Sequence, residues 1–432
     1  MPEAVYRVVT LLCAIVKRAP MGTNLGLVAV LWMLVSGRLL MTRGALIPGL
    51  AETGLPEAAV RRAWAAAGHG AWTSERLLTA WAAQVAHEQR WQPACYEGFR
   101  PVAVDVTAFW RPRLQDCPTR HYSAEAGRAL PAIPLGIIAR IGRVGGQRLG
   151  VLVGLVRADH DDPSAGAQRQ ALLREAAAQR APQEAIIGDR EFAVADMQAA
   201  GIPAFVVRLR KNFTGRRATP PPYQGRGRPP SHGELVRPLA RRRGQRQFPA
   251  TPPDRTTAWE EADRAIRAEQ WTDLVLPDAP ADAPTFAVIA IVDPRYHDPL
   301  LLATPLPLSP RATRNLYRDR WPVEQLPLAA KQMIGAARQF VHEPETCQRL
   351  PELSLLAGSV LSYAAATQPA VPVGFWDRQP QPTPGRLRRV LLRCPFPQEF
   401  PWPEHIRQKA AVTDHLPKGS SGPHPDSERE AA

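Results

Sequence analysis

The sequence predicts a mixed α/β protein with a helical N-terminal region, and two observations support this fold class. Up to about residue 98, apolar residues recur at intervals of three and four, which is the spacing of helices. From Arg100 onward the apolar runs are short and alternate, which is the spacing of strands. The chain has 432 residues, 45% hydrophobic and 22% charged, so it can bury sizeable cores in two or three domains. A small disulfide-stabilised or wholly disordered protein is excluded.

The first 98 residues predict a helical N-terminal domain. Its helical patterns cover residues 5–16, 25–35, 58–67 and 75–87. Within it, residues 46–64 give a short helix, a turn through Gly54 and Pro56, and a second helix that carries Arg61 and Arg62. This order is typical of a helix-turn-helix that binds DNA, with both arginines as contacts. A plain helical bundle with a glycine turn gives the same pattern, and both interpretations remain open.

The central region predicts one sheet interrupted by an insertion. Strands are expected at 102–109, 133–141, 149–156, 185–188, 204–209 and 285–292, and helices at 168–179 and about 311–340. Residues 99–209 and 285–345 are therefore assigned to one core. Residues 210–284 are rich in Pro, Gly and Arg and are assigned to an inserted, β-containing subdomain. Residues 346–432 are expected to be helical, with a disordered tail beyond residue 416.

The charge of the chain indicates a polyanionic partner. The net charge is +14 and the isoelectric point about 10.2, so nucleic acid is the first expectation. Residues 208–246 contain twelve Lys or Arg against one acidic residue. A solvated basic loop is the alternative to phosphate contact here. The DNA-binding candidates in this stretch are Arg210, Lys211, Arg226, Arg228, Arg241, Arg242 and Arg243.

Cysteine usage and hydropathy predict a cytoplasmic protein. The five cysteines are scattered and form no C-x2-C pair, so neither a disulfide framework nor a zinc knuckle is expected. The longest uncharged apolar run, residues 21–37, is short for a membrane span. The first residues lack the pattern of a signal peptide. No membrane partner is therefore expected.

Two aspartates occupy positions where an acidic residue is unusual. Asp105 lies in the middle of a predicted strand, on the same face as Ala103 and Thr107. A strand covered on both faces rarely holds an acid unless it is paired or binds a metal, although an exposed edge strand is the ordinary explanation. Asp189 ends the apolar run 185–188, at a strand C-terminus where functional groups collect in open α/β sheets.

A third set of polar residues lies on the last predicted helix of the core. Tyr317, Arg320, Glu324 and Lys331 have the spacing Y-x2-R-x3-E-x6-K. On a continuous helix these residues fall within a wedge of roughly 60°, so all four would face the same way. Such a row is often a solvated, salt-bridged face. Lys331 is nevertheless one of five lysines in the whole chain.

Two prolines complicate this helix. Pro322 and Pro327 flank Glu324, and a proline inside a helix removes a hydrogen bond and crowds the preceding turn. Either the helix begins near Trp321 and kinks at Pro327, or this copy of the protein is damaged. A break would weaken the common orientation of Tyr317 and Lys331.

The combination of these three motifs resembles the DDE transposases of bacterial insertion sequences, in the group with the Y-x2-R-x3-E-x6-K signature and a mostly β insertion before the glutamate. The resemblance covers about residues 98–345. It implies an RNase H-like core in which Asp105, Asp189 and Glu324 are the catalytic and metal-binding carboxylates. It also implies that Tyr317, Arg320 and Lys331 contact DNA, and that a homodimer cuts transposon ends and joins the 3′-OH to target double-stranded DNA.

Carboxylates are also the donors that this chemistry requires. Two Mg²⁺ ions about 3.5–4 Å apart can activate the nucleophile and neutralise the leaving oxygen of a phosphodiester, and Mn²⁺ is able to replace them. Three smaller alternatives stay open. The acidic residues at 159, 161 and 162 form either a turn and helix cap or a second candidate metal site. Cys117 and His121 form either half of a metal site or no site. Trp110 and Trp321 either pack in the core or stack on a base.

Two other functions compete with transposition. One is a catalytically inactive relative that binds transposon ends without cutting them. The other is a nuclease with the same core, which cuts DNA but never joins a 3′-OH end to a target.

Overall fold

The computed structural model describes residues 1–19, 24–223, 225, 230–372 and 374–407. The helices are α1 (Glu3–Val16), α2 (Asn24–Val35), α3 (Arg38–Met41), α4 (Leu46–Ala51), α5 (Glu57–His69), α6 (Ser74–Glu88), α7 (Ala165–Gln179), α8 (Val194–Ala199), α9 (Pro310–Arg318), α10 (Trp321–Leu328), α11 (Pro344–Ala366), α12 (Pro384–Leu392) and α13 (Glu404–Arg407). A π-helical turn (Ala329–Ile334) follows α10.

The strands are β1 (Gln92–Pro93), β2 (Arg100–Trp110), β3 (Arg120–Ser123), β4 (Arg128–Val144), β5 (Gln147–Arg157), β6 (Glu184–Gly188), β7 (Phe205–Arg208), β8 (Gly215–Arg217), β9 (Leu235–Val236), β10 (Arg241–Arg243), β11 (Arg246–Phe248), β12 (Arg255–Glu260), β13 (Ala265–Val275), β14 (Phe286–Val292) and β15 (Leu300–Thr304). Thirteen of these described strands form one mixed sheet, and β10 pairs only with β11. The predicted α/β class is confirmed.

Five neighbouring strands form the part of the sheet that carries the predicted carboxylates. Their order is β5-β4-β2-β6-β7. β4 runs antiparallel to both β5 and β2, whereas β2, β6 and β7 are parallel. β15 and β14 extend the sheet beyond β7, and β13 of the predicted insertion pairs with β14. The sheet is therefore continuous from the first core strands into the insertion.

Side-chain alternation in β2 separates two hydrophobic cores. Val102 and Val104 belong to a core that contains residues of α7 and α8. Ala103 and Phe109 point to the opposite face and share a core with α10, α11 and the N-terminal helices. Because side chains in a strand alternate, Asp105 and Thr107 lie on this second face, under α10 and the π-helical turn.

The N-terminal helices pack around one long helix. The four predicted helices are present as α1, α2, α5 and α6, and α11 contacts all four. The short helix and turn expected before residue 57 are present as α4 and the bend at Gly54, whose φ is +78°. Within the described part of the chain, no helix combines the length and the apolar character needed to cross a membrane.

The continuous helix predicted over residues 311–340 is wrong. α9 ends at Arg318, and α10 begins at Trp321 with Pro322 in its first turn, where a missing N–H costs nothing. Pro327 lies inside α10, and the hydrogen bonds widen to the π type from Ala329 onward. The segment stops at Gly335, whose φ of +102° favours glycine. The single 60° wedge therefore does not describe this region.

Candidate active site

Two carboxylates lie side by side on neighbouring strands. β2 and β6 pair in parallel, with Val102 opposite Ile186 and Ala103 opposite Ile187. Continued by two residues, this register places Asp189, directly after β6, beside Asp105 in β2. Neighbouring strands are separated by roughly 4.8 Å. The pairing of the two sequence-predicted aspartates is thus a consequence of strand register.

Asp189 also shapes the turn that follows its strand. One of its carboxylate oxygens accepts a hydrogen bond from the backbone N–H of Glu191 at 2.8 Å. Its carbonyl accepts from the N–H of Phe192, whose ring is buried. This turn fixes the backbone of Asp189 before α8 begins.

Glu324 is brought to the same place by α10. This helix contacts β2, β4 and β5, and its residues Val323 and Leu326 are buried in the core. The guanidinium of Arg320 donates a hydrogen bond to the Glu324 carboxylate. Arg320 keeps 14% of its side chain exposed and Glu324 32%. The ion pair therefore lies at the rim of the site.

The electrostatics of Asp105 link all three carboxylates. The pKa of Asp105 is raised to about 7. Burial raises this pKa most, the positive charge of Arg320 lowers it, and the negative charges of Asp189 and Glu324 raise it. The N–H of Val106 donates to the carboxylate at 3.0 Å. Because like charges act on Asp105 from two directions, the site favours a cation.

Lys331 completes the site from the π-helical turn. Its Nζ donates to the Thr107 hydroxyl at 2.7 Å and lies 4.9 Å from the ring centroid of Trp110 and 5.2 Å from that of Phe109. Burial lowers the pKa of Lys331 to about 8, and the charge of Asp105 raises it. The lysine therefore faces the same side of β2 as Asp105.

Tyr317 joins the cluster in spite of the break after α9. Its side chain is buried. Burial raises the pKa of Tyr317, and the charges of Arg320, Arg208 and Asp189 also act on it. The four signature residues thus converge on the two aspartates although no continuous helix aligns them.

Sequence reasoning missed the residue that fixes the break. Asp319 is fully buried between α9 and α10. Its carboxylate accepts a hydrogen bond from the Tyr96 hydroxyl at 2.6 Å and pairs with Arg148 at 3.2 Å. Both partners lie far away in sequence, so the only available signal was an acid inside the Tyr317–Arg320 spacing. Asp319 anchors the start of α10 to the sheet.

The donors fit a hard divalent cation, but their arrangement does not form a metal cluster. Carboxylate oxygens are the ligands that Mg²⁺ and Mn²⁺ prefer. Among the residues that the structure describes, no group of three His, Cys, Asp or Glu side chains is placed to hold an ion. The Glu324 carboxylate is bound by the guanidinium of Arg320 instead. The predicted meeting of three carboxylates within one ion's reach is therefore not present here.

A basic cleft opens next to the site. It has a volume of about 550 Å³, and its wall contains residues of α9, α10 and the β14–β15 turn. Trp321 is 61% exposed there and Tyr296 is 64% exposed, so the expectation that Trp321 packs in the core is wrong. Trp110 is half-buried against Lys331. The cationic side chains of the wall are Arg208, Arg295, Arg314, Arg318 and Arg320.

The other predicted DNA-binding residues lie elsewhere. Arg61 and Arg62 are exposed on α5, where Arg61 pairs with Glu57. Arg210 and Lys211 are exposed after β7, and Lys211 pairs with Asp298.

The remaining basic candidates belong to the insertion. Arg241 and Arg242 lie on β10, and each donates to a nearby backbone carbonyl. Arg226 and Arg228 lie outside the described residues, and so does the side chain of Arg243.

The two minor metal candidates have structural roles. Asp159 and Asp162 accept backbone N–H bonds in an exposed turn, and Ser164 caps α7. Cys117 is a free thiol that contacts the carbonyl of Thr119.

No protein-family model matches this chain. No curated protein matches it either. The geometry of the site must therefore carry the functional argument.

Proposed function

We propose that the protein is a DNA transposase that cuts transposon ends and joins the freed 3′-OH to target DNA. The observation that carries the proposal is that the charges of Asp189, directly after β6, and Glu324, on α10, both act on Asp105 in β2. Like charges gathered from three distant parts of a chain in a partly buried site are expensive unless a cation binds them. Phosphodiester cleavage by divalent cations uses such a site.

The strand order supports an RNase H-like core. β5, β4 and β2 form an antiparallel meander, and β6 and β7 continue it in parallel with β2. The first carboxylate lies in the strand at the centre of this set, and the second follows the strand beside it. The position of Glu324 on a helix packed across the same strands is the third part of the arrangement.

Asp105, Asp189 and Glu324 are the residues that would hold two Mg²⁺ ions, or Mn²⁺ in their place. When bound, the metal supplies the activation of water or of a 3′-OH and neutralises the leaving oxygen. The guanidinium of Arg320 binds Glu324, so a metal ion at this carboxylate would compete with Arg320. Release of Arg320 makes its guanidinium free to bind a DNA phosphate beside Tyr317.

The surroundings of the site suit a nucleic acid strand. The cleft beside Arg320 is lined by five arginines, four of which are in ion pairs and would exchange a carboxylate for a phosphate. The exposed rings of Trp321 and Tyr296 can stack on bases. Lys331 provides a further positive charge on the face of β2. A DNA strand that crosses α10 can therefore contact cations on both sides of the carboxylates.

Metal-dependent nicking of supercoiled plasmid DNA tests the proposal. The wild type should nick with Mg²⁺ or Mn²⁺, and Asp105→Asn, Asp189→Asn and Glu324→Gln should each abolish nicking while DNA binding persists. Each change removes a metal ligand and leaves the basic residues in place. Asp159→Asn, in the exposed turn, is the matched control and should remain active. Full activity in any of the three site variants contradicts the role assigned to that residue.

Two observations favour the second candidate, an inactive DNA-binding relative. The Arg320–Glu324 ion pair and the absence of a three-ligand group among the described residues are both compatible with a site that no longer binds metal. This candidate predicts DNA binding without nicking at any Mg²⁺ or Mn²⁺ concentration. A nuclease of the same core predicts nicking without products in which a 3′-OH end is joined to a target.

A further inference from the structure

A β-hairpin arm extends the sheet along the first residues of β4, beyond the C-terminal end of β2. β4 is 17 residues long, and its first residues pair with β3 instead of β2. The arm, residues 111–131, is anchored at its base. Arg111 is buried and donates to Gln339 at 3.3 Å, and Thr119 donates to the carbonyl of Ala132. The arm is therefore held against the segment that follows Lys331.

The arm places His121 in contact with the site. The ring centroids of His121 and Trp110 are 6.2 Å apart. The indole N–H of Trp110 donates to the backbone carbonyl of His121 at 3.4 Å. The same Trp110 ring contacts the Nζ of Lys331, which donates to Thr107. A continuous row of contacts therefore joins His121 to the face of β2 that carries Asp105.

Charges from both sides of the site act on His121. Glu191 raises its pKa and Lys331 lowers it, while burial lowers the pKa most strongly. Glu191 follows Asp189 by two residues, and Lys331 lies on the π-helical turn, so charges of two segments of the site act on the imidazole. The side chain is only half-buried. A neutral imidazole offers one N–H donor and one acceptor nitrogen to a ligand.

We propose that His121 hydrogen-bonds to the DNA strand that enters the carboxylate site, so that the arm contributes a substrate-contacting residue. This inference rests on the proposed function, because it needs DNA in the site. The partner is a phosphate or sugar oxygen of that strand, because the row of contacts from His121 ends at Thr107, two residues from Asp105 on the same face of β2. Trp110 packs against the imidazole at a tilt of 55°.

Two substitutions separate this role from simple packing. His121→Phe retains a ring against Trp110 but removes both nitrogens, and His121→Gln retains a donor and an acceptor. The affinity for a short DNA duplex, measured by fluorescence anisotropy, and kcat/KM for plasmid nicking with Mg²⁺ are the readouts. The His121→Phe variant is expected to lower kcat/KM and DNA affinity by about 10-fold, as the loss of one hydrogen bond predicts. The His121→Gln variant is expected to lower both by no more than about 3-fold.

The control is His160→Phe, which changes an exposed histidine after β5 and should leave both readouts unchanged. If the wild type nicks DNA, two results overturn the inference. One is a His121→Phe variant with the DNA affinity and kcat/KM of the wild type, and the other is an equal loss of both in His121→Gln and His121→Phe. A wild type that binds DNA without nicking contradicts the proposed function alone, and the affinity series then decides the role of His121. A wild type that neither binds nor cuts DNA overturns both.

Discussion

Asp105→Asn is expected to stabilise the metal-free protein at pH 8. Burial and two neighbouring carboxylates raise the pKa of Asp105 from 3.8 to about 7. The folded protein therefore keeps this proton at pH values where the unfolded chain has released it, and stability falls as pH rises from about 4 to about 7. Each pKa unit corresponds to about 1.4 kcal/mol, so the ionised carboxylate costs up to about 4 kcal/mol above pH 7. Asparagine has the same shape, carries no charge and can still accept the Val106 N–H.

Urea unfolding followed by tryptophan fluorescence measures this effect. At pH 8 without metal, the variant should be more stable than the wild type by about 2–4 kcal/mol, and the gap should shrink steadily toward pH 4. Mg²⁺ should stabilise the wild type at pH 8 and have little effect on the variant, because binding to the folded state alone shifts unfolding. An Asp105→Asn protein that is no more stable than the wild type at pH 8 would refute the reasoning. Asp159→Asn should show no such pH dependence.

Three further predictions concern the surroundings of the carboxylates. Arg320→Ala should tighten Mn²⁺ binding by roughly 3-fold or more in calorimetry, because Glu324 loses its competing partner; an unchanged affinity would contradict the competition. The pKa of Lys331 is lowered to about 8, so its charge is lost as pH rises from 7 to 9. DNA affinity should fall over this range in the wild type and much less in Lys331→Arg, and parallel profiles would count against a DNA contact. Gly335→Ala should destabilise the fold by about 1–3 kcal/mol in urea, because its φ is +102° and a Cβ would lie 2.4 Å from backbone; Gly146→Ala, in open space, should be neutral.

The part of the site that depends on local patterns could be predicted from the sequence. Alternation in β2 puts Asp105 and Thr107 on one face, and the hydrogen bond from Lys331 to Thr107 confirms that this face meets the last core helix. Asp189 was expected at a strand C-terminus, and it directly follows β6. A strand repeats every two residues whatever surrounds it, so these positions need no tertiary information.

The geometry of the glutamate segment depends on tertiary contacts. The prolines predicted the start of α10 at Trp321, but not the π-helical turn that carries Lys331. That turn ends where Gly335 packs against the backbone of Leu40, nearly 300 residues earlier in the chain. The Asp319 anchor likewise depends on Tyr96 and Arg148. The spacing of residues along the sequence does not predict such contacts.

The role of His121 was also beyond the sequence pattern. As a C-x3-H pair with Cys117, it indicated only a weak metal site. Its contact with Trp110 follows from the pairing of β3 on β4, in which His121 lies opposite Leu130. For Trp321 the sequence left core packing and base stacking open, and the side chain lies exposed in the cleft. The register of β3 on β4 determines the position of His121, and the break between α9 and α10 determines that of Trp321.

The most direct test of the three-carboxylate site is an anomalous diffraction map of the protein bound to DNA in the presence of Mn²⁺. Mn²⁺ is expected between the carboxylates of Asp105, Asp189 and Glu324, with the guanidinium of Arg320 moved from Glu324 to a phosphate. Manganese found only at another place, such as the acidic turn at residues 159–162, or a DNA-bound site in which Arg320 still holds Glu324 and no metal is present, would contradict it.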